Sequence, residues 1–372
     1  MIELRKYQDA CIGGVRASFR DEHASPLLVS PTGSGKTVMF SYLTSKLIEA
    51  PKRVVILCHR EELLEQISRT LTQFKVRHGL ISAGTLYDRR LLAHVASVMT
   101  LIRRIDRIAV PDYVICDEAH HAIGASSWGK VIKAWRAKNP ALRLIGDTAT
   151  PERLSGEGLG ETFDDMILGP STAELIQEGA LSPYRLFAPE GGVDLSGVKK
   201  ERGEFAKGES ADIMGKPKVI GSAVAEYRKH MSGAPAVAFC VSIENAVKTA
   251  DTFRAAGYTS ASIDGNMDKT LRRKLVEDFG AGRVQVLTSC DIVSEGFDIP
   301  GIVGAILLRP TWSLALYLQQ VGRALRIAPG KTSAVILDHV QNSMRHGLPD
   351  DPREWSLLGR EAKKKGGAEN VA

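Results

Sequence analysis

The feature that most constrains this chain is the stretch Leu27–Thr37, which reads LLVSPTGSGKT. An apolar run ends at Ser30, a glycine-spaced turn follows, and apolar residues then recur at helical spacing through Ile48. A strand, a glycine loop and a helix in this order form the setting in which a loop binds phosphate. Gly33 and Gly35 let the backbone point its N–H groups inward, and the helix presents its positive end to the same anion. The stretch therefore predicts a phosphate loop.

Two residues at the end of this loop predict nucleotide chemistry. Lys36 is placed to reach the β- and γ-phosphates, and the Thr37 hydroxyl is placed to bind Mg²⁺. We therefore predict ATP and Mg²⁺ as cofactors, and the loop residues that bind them are Thr32, Gly33, Ser34, Gly35, Lys36 and Thr37. The general pattern has glycine where this chain has Ser30. The alternative is a glycine-rich turn that binds nothing.

Short apolar runs typical of buried strands recur along the chain. They are Leu27–Val29, Arg53–His59, Val95–Leu101, Tyr113–Cys116 and Leu142–Gly146, and, after an irregular stretch, Ala236–Val241, Ser260–Asp264, Val284–Ser289, Ile302–Leu308 and Ser333–Asp338. Helical stretches separate most of them, which predicts two parallel sheets with helices on both faces. Ligands of such sheets bind at the carboxyl ends of the strands, and the polar motifs of the first sheet lie at these ends.

An acidic pair, Asp117-Glu118, follows the Tyr113–Cys116 run. An aspartate at a strand end beside a phosphate loop can hold Mg²⁺, and the neighbouring glutamate can accept a proton from the attacking water. Asp117 is therefore a predicted metal residue together with Thr37, and Glu118 is a predicted catalytic base. Adjacent acids at a strand end are often only solvated, and the phosphate loop upstream favours the catalytic interpretation.

A third motif lies in the second half of the chain, where Gln319–Arg326 reads QQVGRALR. On a helix, Gln319, Arg323 and Arg326 share one face because they lie four and three residues apart. Two arginines on one face can be solvated surface, but facing a triphosphate they would stabilise transition-state charge. We predict that all three residues act in catalysis when the two domains close.

Composition and charge limit the remaining classes of protein. The 372 residues suffice for two domains, and the net charge of +6 suits a polyanionic partner. No apolar run reaches the roughly eighteen residues that span a bilayer, and the opening MIELRKYQDA lacks the apolar core of a signal peptide. The five cysteines form no C-x-x-C pair, so they suggest neither a zinc site nor a disulfide framework. We expect a cytoplasmic protein with no membrane partner.

Taken in order, PTGSGKT, DEAH, TATP, EGFD and QxxGRxxR resemble the motifs of superfamily-two helicases of the DExH type. The resemblance covers roughly residues 1 to 340, and the stretches Leu337-Asp-His-Val and Arg345-His-Gly-Leu-Pro are similar to RadD-like bacterial and phage helicases. It implies an α/β fold of two tandem RecA-like parallel-sheet domains, the P-loop NTPase helicase core. The expected domains are residues 1–165 and 217–345, with a connector and the entry to the second domain over 166–216 and a polar, basic tail over 346–372.

The resemblance also implies roles that the spacing does not show. Residues that match those reading adenine are Arg5 and Gln8, and residues that match a motif contacting phosphate and ribose are Gly296 and Asp298. The residues that couple hydrolysis to domain movement and to nucleic-acid state are His120, Thr148 and Thr150. The positions at which the family holds the sugar-phosphate backbone are His59, Arg60, Thr100, Ser242 and Ser289. Plain alternatives exist, since a hydroxyl at a strand end usually caps a helix and Gln8 can do so too.

Departures from the family pattern bear on the substrate. The fifth motif reads Glu295-Gly296-Phe297-Asp298 rather than Arg-Gly-x-Asp, Cys290 replaces its usual threonine, and the acidic motif ends in His120. These features point away from RNA-remodelling DEAD-box proteins and towards DNA translocases. We therefore expect an ATP-dependent helicase or translocase, a nucleic-acid-stimulated ATPase that works as a monomer on DNA more than on RNA.

Little chain follows Asp338, so we also expect a protein partner that supplies an accessory domain. Three alternatives stay open. They are a motor that translocates without unwinding, such as the motor subunit of a restriction-type complex, an RNA helicase, and a catalytically dead nucleic-acid-binding module.

Overall fold

The computed structural model describes residues 3–152, 156–189, 193–201, 204–291, 299 and 301–359. The chain divides into two compact units. Unit 1 comprises Met1–Ser171 with Arg353–Ala372, and unit 2 comprises Thr172–Pro352. None of the described helices is both long and apolar enough to span a membrane.

Unit 1 is built around one parallel sheet. Its described strands are β1 (Pro26–Val29), β2 (Val54–Cys58), β3 (His78–Ile81), β4 (Ala93–Ser97), β5 (Tyr113–Asp117), β6 (Arg143–Thr148) and β7 (Asp165–Leu168). Its described helices are α1 (Lys6–Arg20), α2 (Lys36–Glu49), α3 (Glu61–Gln73), α4 (Val98–Arg104) and α5 (Ser127–Lys138), with 3₁₀ turns at Ile105–Arg107 and Ala119–His121. The strands lie in the order β3-β4-β2-β5-β6-β1-β7, and the paired strands are parallel.

Side-chain alternation along the strands of unit 1 fills two cores, one on each face of the sheet. Val55 and Leu57 of β2 pack into a cluster with residues of α4 and α5, whereas Val54 and Ile56 pack into a cluster with α1, α2 and α3. Successive residues of a strand point to opposite faces, so a strand covered by helices on both sides is apolar throughout. This burial explains why β2 reads VVILC with every residue buried.

Unit 2 repeats this architecture. Its described strands are β8 (Tyr184–Phe187), β9 (Lys200–Glu201), β10 (Glu204–Phe205), β11 (Ala236–Cys240), β12 (Ser260–Ile263), β13 (Val286–Ser289), β14 (Gly304–Leu308) and β15 (Ala334–Asp338). Its described helices are α6 (Thr172–Gln177), α7 (Lys207–Met214), α8 (Pro217–His230), α9 (Ile243–Ala255), α10 (Lys269–Gly280), α11 (Leu314–Leu325) and α12 (Asn342–His346). A parallel sheet runs β12-β13-β11-β14-β15-β8, and β9 and β10 form an antiparallel hairpin. The predicted fold class, two parallel-sheet α/β domains, is confirmed.

One predicted strand is partly wrong. The run Val95–Leu101 continues as a strand only to Ser97, and helix α4 begins at Val98. Val98 and Leu101 are both buried, and their separation of three residues places them on one face of a helix. Thr100, a predicted nucleic-acid contact, therefore lies in the first turn of α4 rather than on a strand.

The compact units also differ from the expected domain boundaries. The stretch 166–216, expected as a connector and the entry to the second domain, contains α6, the hairpin and β8, and β8 pairs with β15 in the sheet of unit 2, which begins at Thr172. At the other end, the backbone oxygen of Leu357 accepts a hydrogen bond of 2.9 Å from the N–H of Gly160. Part of the stretch expected as a tail therefore packs on unit 1.

Candidate functional site

The phosphate loop of unit 1 connects β1 to α2 in a conformation that requires its glycines. Gly33 has φ +92° and Gly35 has φ +82°, a region that side chains other than glycine rarely adopt. A Cβ at Gly35 would also collide with Nε2 of Gln8. Helix α2 begins at Lys36, so its free N–H groups point towards the loop.

Ser30 occupies the place where the general pattern has glycine, and the structure shows why serine fits there. Among the described residues, those with positive φ do not include Ser30, so its backbone conformation does not require glycine. Its N–H donates a hydrogen bond of 3.0 Å to the backbone oxygen of Thr148. This bond ties the start of the loop to the end of β6.

Helix α1 packs its first turn against the same loop. The Tyr7 hydroxyl donates to the backbone oxygen of Ser34 at 2.8 Å, and Nε2 of Gln8 donates to the same oxygen at 3.1 Å. Oε1 of Gln8 accepts from the N–H of Arg5, the residue that caps α1, at 3.0 Å. Gln8 is therefore a helix cap and a contact of the phosphate loop at once. Tyr7 is a candidate that the sequence analysis missed, and its place beside Gln8 was the only signal.

Lys36 lies folded across the loop. Its Nζ donates to the backbone oxygens of Ser30 at 3.2 Å and Pro31 at 3.5 Å. Both acceptors are neutral carbonyls, whereas a phosphate oxygen would form a stronger, charge-assisted bond. The ammonium group is thus held at the loop by contacts that a triphosphate can replace.

The acidic pair lies at the carboxyl end of β5, with Asp117 as the last residue of the strand and Glu118 directly after it. Asp117 and Glu118 are 5% and 9% exposed, so neither is a solvated surface carboxylate. Asp117 pairs in register with Asp147 of β6, and Val29 of β1 pairs with Thr148, so the three strand ends are neighbours. Glu118 has φ +54°. For a non-glycine residue this conformation costs about 1–3 kcal/mol, and such strain is concentrated at functional sites.

Asp147 is a further carboxylate here that the sequence analysis did not single out. It is 2% exposed, and its Oδ1 has no hydrogen-bond partner in the described part of the chain. Burial raises the pKa of Asp147 well above its usual range, with Lys36 opposing the shift and Asp117 and Glu118 adding to it. Its position next to the TAT residues was the signal available in the sequence.

The predicted coupling residues form a connected chain in unit 1. Oε2 of Glu118 lies 3.4 Å from Nδ1 of His120, and that nitrogen lies 3.2 Å from Oγ1 of Thr148. The Thr148 hydroxyl donates to the backbone oxygen of Thr150 at 2.9 Å and accepts from its N–H at 3.2 Å. Because the hydroxyl proton points to Thr150, Thr148 can only accept from His120, which assigns the proton to Nδ1.

A series of rings leads away from this chain. The ring of His120 lies 4.3 Å from that of His121, which lies 4.8 Å from the ring of His59. Nε2 of His59 accepts from Nε of Arg60 at 3.1 Å. His121 therefore connects the acidic motif to two predicted nucleic-acid contacts. The doubled histidine after Asp117-Glu118-Ala119 was the signal for it.

The other predicted nucleic-acid contacts are less distinctive. The Ser242 hydroxyl accepts from the N–H of Asn245 at 3.1 Å and so caps α9, which is the plain alternative for this residue. Ser289 ends β13 and is only 1% exposed. Thr100 is half-buried on α4. The structure places Ser242 and Ser289 at the carboxyl edge of the unit 2 sheet, and their roles stay predictions.

The arginine motif lies on α11 of unit 2, but its last residue does not. Gln319 and Arg323 are 3% and 4% exposed on this helix, whereas Arg326 has φ −60° and ψ 138° and stands just beyond its end. The expected helical face through Arg326 is therefore wrong. Nζ of Lys331 donates to the backbone oxygen of Ala324 and, at 2.7 Å, to that of Arg326. These bonds cap the carboxyl end of the helix.

The structure thus brings the predicted residues together in two sets. In unit 1 the phosphate loop, the acidic pair, the coupling residues, Arg5 and Gln8 gather at one edge of the sheet. The residues of the arginine motif belong to unit 2. Gly296 and Asp298 lie outside the described residues.

Mg²⁺ fits the unit 1 set. Within the described ranges no group of three His, Cys, Asp or Glu side chains is arranged to hold a metal. Mg²⁺ in phosphate sites needs no such cage, because one or two side chains together with phosphate oxygens and water suffice. Thr37 in the first turn of α2 and the buried Asp117 are the side chains predicted for this role, and the role stays a prediction.

Comparison with known proteins agrees with this arrangement. Residues 1–153 match the family model described as type III restriction enzyme, res subunit, and residues 216–328 match the helicase conserved C-terminal domain. A 51.5 kDa protein of a Lactococcus phage is 37% identical over 93% of this chain and 72% of its own length. A Saccharomyces cerevisiae protein provisionally named as the ATP-dependent helicase IRC3 is 28% identical over 91% of this chain and 51% of its own.

A solved structure shares the fold. A fragment provisionally assigned as the HsdR subunit of a type I restriction enzyme from Vibrio vulnificus matches with a TM-score of 0.73 and 21% identity, covering 93% of this chain and 66% of the fragment. The chain spans about half the length of the yeast relative (51%) and most of the phage relative (72%). Both family models, the phage relative and the two RecA-like sheets agree with the motifs. The chain belongs to the superfamily-two helicases of the DExH type.

Proposed function

We propose that this helicase-type motor hydrolyses ATP to move along nucleic acid, on DNA in preference to RNA. The observation that carries the proposal is the unbroken chain of contacts in unit 1 from Glu118 through His120 to Thr148 and Thr150. Thr148 is in turn bonded to Ser30 at the start of the phosphate loop. A change at the nucleotide can therefore reach the coupling residues directly.

The roles of the residues follow from their positions. Lys36 exchanges its two carbonyl contacts for phosphate oxygens, and Gln8 and Tyr7 brace the loop from α1. Glu118 accepts the proton of the attacking water, and His120 lies beside it with Nδ1 3.4 Å from Oε2 of the carboxylate. Thr37 and Asp117 would hold Mg²⁺, which supplies positive charge for the developing transition state. Arg323 and Arg326 are proposed to add further positive charge.

Two observations support DNA as the substrate. The acidic motif ends in His120, and the first half of the chain matches a restriction-enzyme subunit model. Contacts to the strand through Arg60 and its neighbours would be made to phosphates, so binding should weaken as salt rises. The match to an HsdR fragment supports a second candidate, the translocating motor of a restriction-type complex, in which a protein partner would supply further domains.

Phosphate release measured against single-stranded, duplex and forked DNA and RNA tests the proposal. We expect hydrolysis to be stimulated more by DNA than by RNA, and Lys36→Ala to be inactive with every strand. Stimulation by RNA alone would favour an RNA helicase. Absence of hydrolysis by the parent protein would favour the catalytically dead nucleic-acid-binding module. Strand-displacement and translocation assays run in parallel then separate an unwinding helicase from a restriction-type motor.

A further inference from the structure

Unit 2 contains a cavity that none of the family motifs accounts for. It has a volume of about 450 Å³ and is lined by Phe205, Trp312, Gln341, Arg345 and the segment 193–196. Trp312 lies four residues after the end of β14, and Gln341 lies three residues after the end of β15. Because these strands are parallel to β11 and β13, the cavity opens at the edge that also carries Ser242 and Ser289.

The aromatic rings of the cavity wall lie close to two cations, Arg345 of the wall and the neighbouring Lys200. The rings of Phe205 and Trp312 are stacked with centroids 5.4 Å apart and planes 25° apart. The guanidinium carbon of Arg345 lies 5.0 Å from the centre of the Phe205 ring and 5.3 Å from that of Trp312. Nζ of Lys200 lies 4.6 Å from the centre of the Trp312 ring. These separations are those of cation–π contacts.

The backbone that carries Trp312 is held in place before any ligand arrives. Glu204 of the hairpin accepts from the Thr311 hydroxyl at 2.8 Å and from the N–H of Trp312 at 3.2 Å. The amide oxygen of Asn342 accepts from the N–H of Thr311 at 3.1 Å and from Arg345 at 2.8 Å. A ring that is already positioned loses less freedom when a ligand stacks on it.

Packing within the unit leaves much of the Trp312 side chain exposed. Trp312 is 42% exposed, whereas Trp128 and Trp135 of unit 1 are 4% and 0% exposed. Burial lowers the pKa of Arg345, so its charge is partly removed from water. A flat ring, partly exposed beside a partly desolvated guanidinium, provides a surface for another planar, electron-rich group.

We propose that this cavity binds an unpaired nucleobase of a single strand, which stacks on Trp312 beside Arg345. Every base has a π-face, and aromatic rings with arginine are the groups on which proteins stack single-stranded bases. The inference rests on the proposed function and deepens it, because it assigns a base contact where the family motifs predict only backbone contacts. Oligo-dT and oligo-rU share this stacking chemistry, and their separate titration shows which sugar the protein tolerates.

Tryptophan fluorescence of the full chain tests the proposal with oligo-dT, oligo-rU and an abasic oligonucleotide of equal length. We expect the strands with bases to quench the parent protein, and Trp355→Phe to preserve that quenching. Trp312→Ala should weaken binding of the strands with bases by about 5- to 150-fold, the range for loss of one stacked base. Trp312→Phe keeps a ring and should bind nearly as well as the parent. The abasic strand should bind the parent and Trp312→Ala equally, because it offers phosphates alone.

The outcomes separate this cavity from the motor function. Unchanged affinity of Trp312→Ala for oligo-dT and oligo-rU, together with strand-stimulated hydrolysis, would overturn the base-binding cavity and leave the motor intact. Equal quenching by the abasic strand would also overturn it, since the contact would then be to phosphate. A parent protein that binds no strand would refute the motor and the cavity together. A thermal melt of Trp312→Ala that matches that of the parent keeps a folding defect from being mistaken for lost binding.

Discussion

Replacing Thr148 by valine should break the coupling chain of unit 1 while keeping its shape. Valine has nearly the size of threonine but lacks the hydroxyl that joins His120 to Thr150. Thr148 is fully buried at the end of β6, so water cannot replace the lost contacts. The main-chain bond from Ser30 to the oxygen of Thr148 does not involve the side chain and should survive.

The expected loss of stability follows from the polar groups that Thr148→Val leaves without hydrogen-bond partners. The hydroxyl serves Nδ1 of His120 and both the N–H and the backbone oxygen of Thr150. A buried polar group without a partner costs roughly 1–3 kcal/mol, and Glu118 remains beside Nδ1 of His120. The N–H and the backbone oxygen of Thr150 are then the two groups left, so we expect a total of about 2–6 kcal/mol. Thr148→Ser keeps the hydroxyl and should lose much less, which makes it the matched control.

Urea unfolding followed by fluorescence measures this difference if the signal comes from unit 1. In a Trp312→Phe background the remaining tryptophans are Trp128, Trp135 and Trp355, all in unit 1. We expect Thr148→Val to unfold at lower urea than Thr148→Ser, with the same slope. We also expect it to lose stimulation of hydrolysis by nucleic acid while keeping a basal rate, because Lys36 and Glu118 remain.

Two results would contradict this reasoning. Equal unfolding midpoints for Thr148→Val and Thr148→Ser would mean that the hydroxyl contacts contribute no net stability. Full stimulation of Thr148→Val by DNA would mean that the chain through His120 does not couple the nucleotide to the strand.

Three further changes follow from the structure. Glu118→Gln should bind nucleotide but not turn it over, since an amide is no useful base, and lost binding in an equilibrium titration would indicate a structural role instead. Arg326→Ala should lower maximal hydrolysis by roughly 10³–10⁵, the range for arginine fingers, with little change in nucleotide affinity, and near-parent stimulated rates would refute that role. Burial lowers the pKa of His339 to about 4, whereas its pKa in the unfolded chain is about 6.5. Between these two pH values the unfolded chain binds a proton that the native state does not bind, so stability falls as pH falls. The free energy of unfolding of the parent should therefore fall by about 3 kcal/mol relative to that of His339→Gln as pH falls from 6.5 to 4. Urea midpoints that fall by the same amount in both proteins over this pH range would contradict this.

The sequence was sufficient to predict the central strands of both sheets and the motifs at their ends. A strand covered by helices on both faces must be apolar throughout, so β2 and β11 are visible as unbroken runs. The phosphate loop is equally visible, because its backbone needs glycine at Gly33 and Gly35. Local chemistry determines both patterns, and no distant residue is needed to recognise them.

Within the two parallel sheets, the strands that the sequence did not reveal are edge strands. In the described sheets β3, β7 and β8 lie at the ends of the strand order, and most of their residues are only partly buried. An edge strand has one free side and incomplete cover, so it carries no continuous apolar run. The end of α11 before Arg326 was hidden for another reason, since the lysine that caps it lies five residues further on.

Only the tertiary structure decided which side chains meet. Gln8 reaches the loop oxygen of Ser34 across 26 residues, and His120 reaches Thr148 across 28. The wall of the unit 2 cavity joins Glu204 to Trp312 across 108 residues. Such contacts depend on strand order and on how helices and hairpins lie against the sheets, and these follow from packing of the whole unit rather than from spacing along the chain.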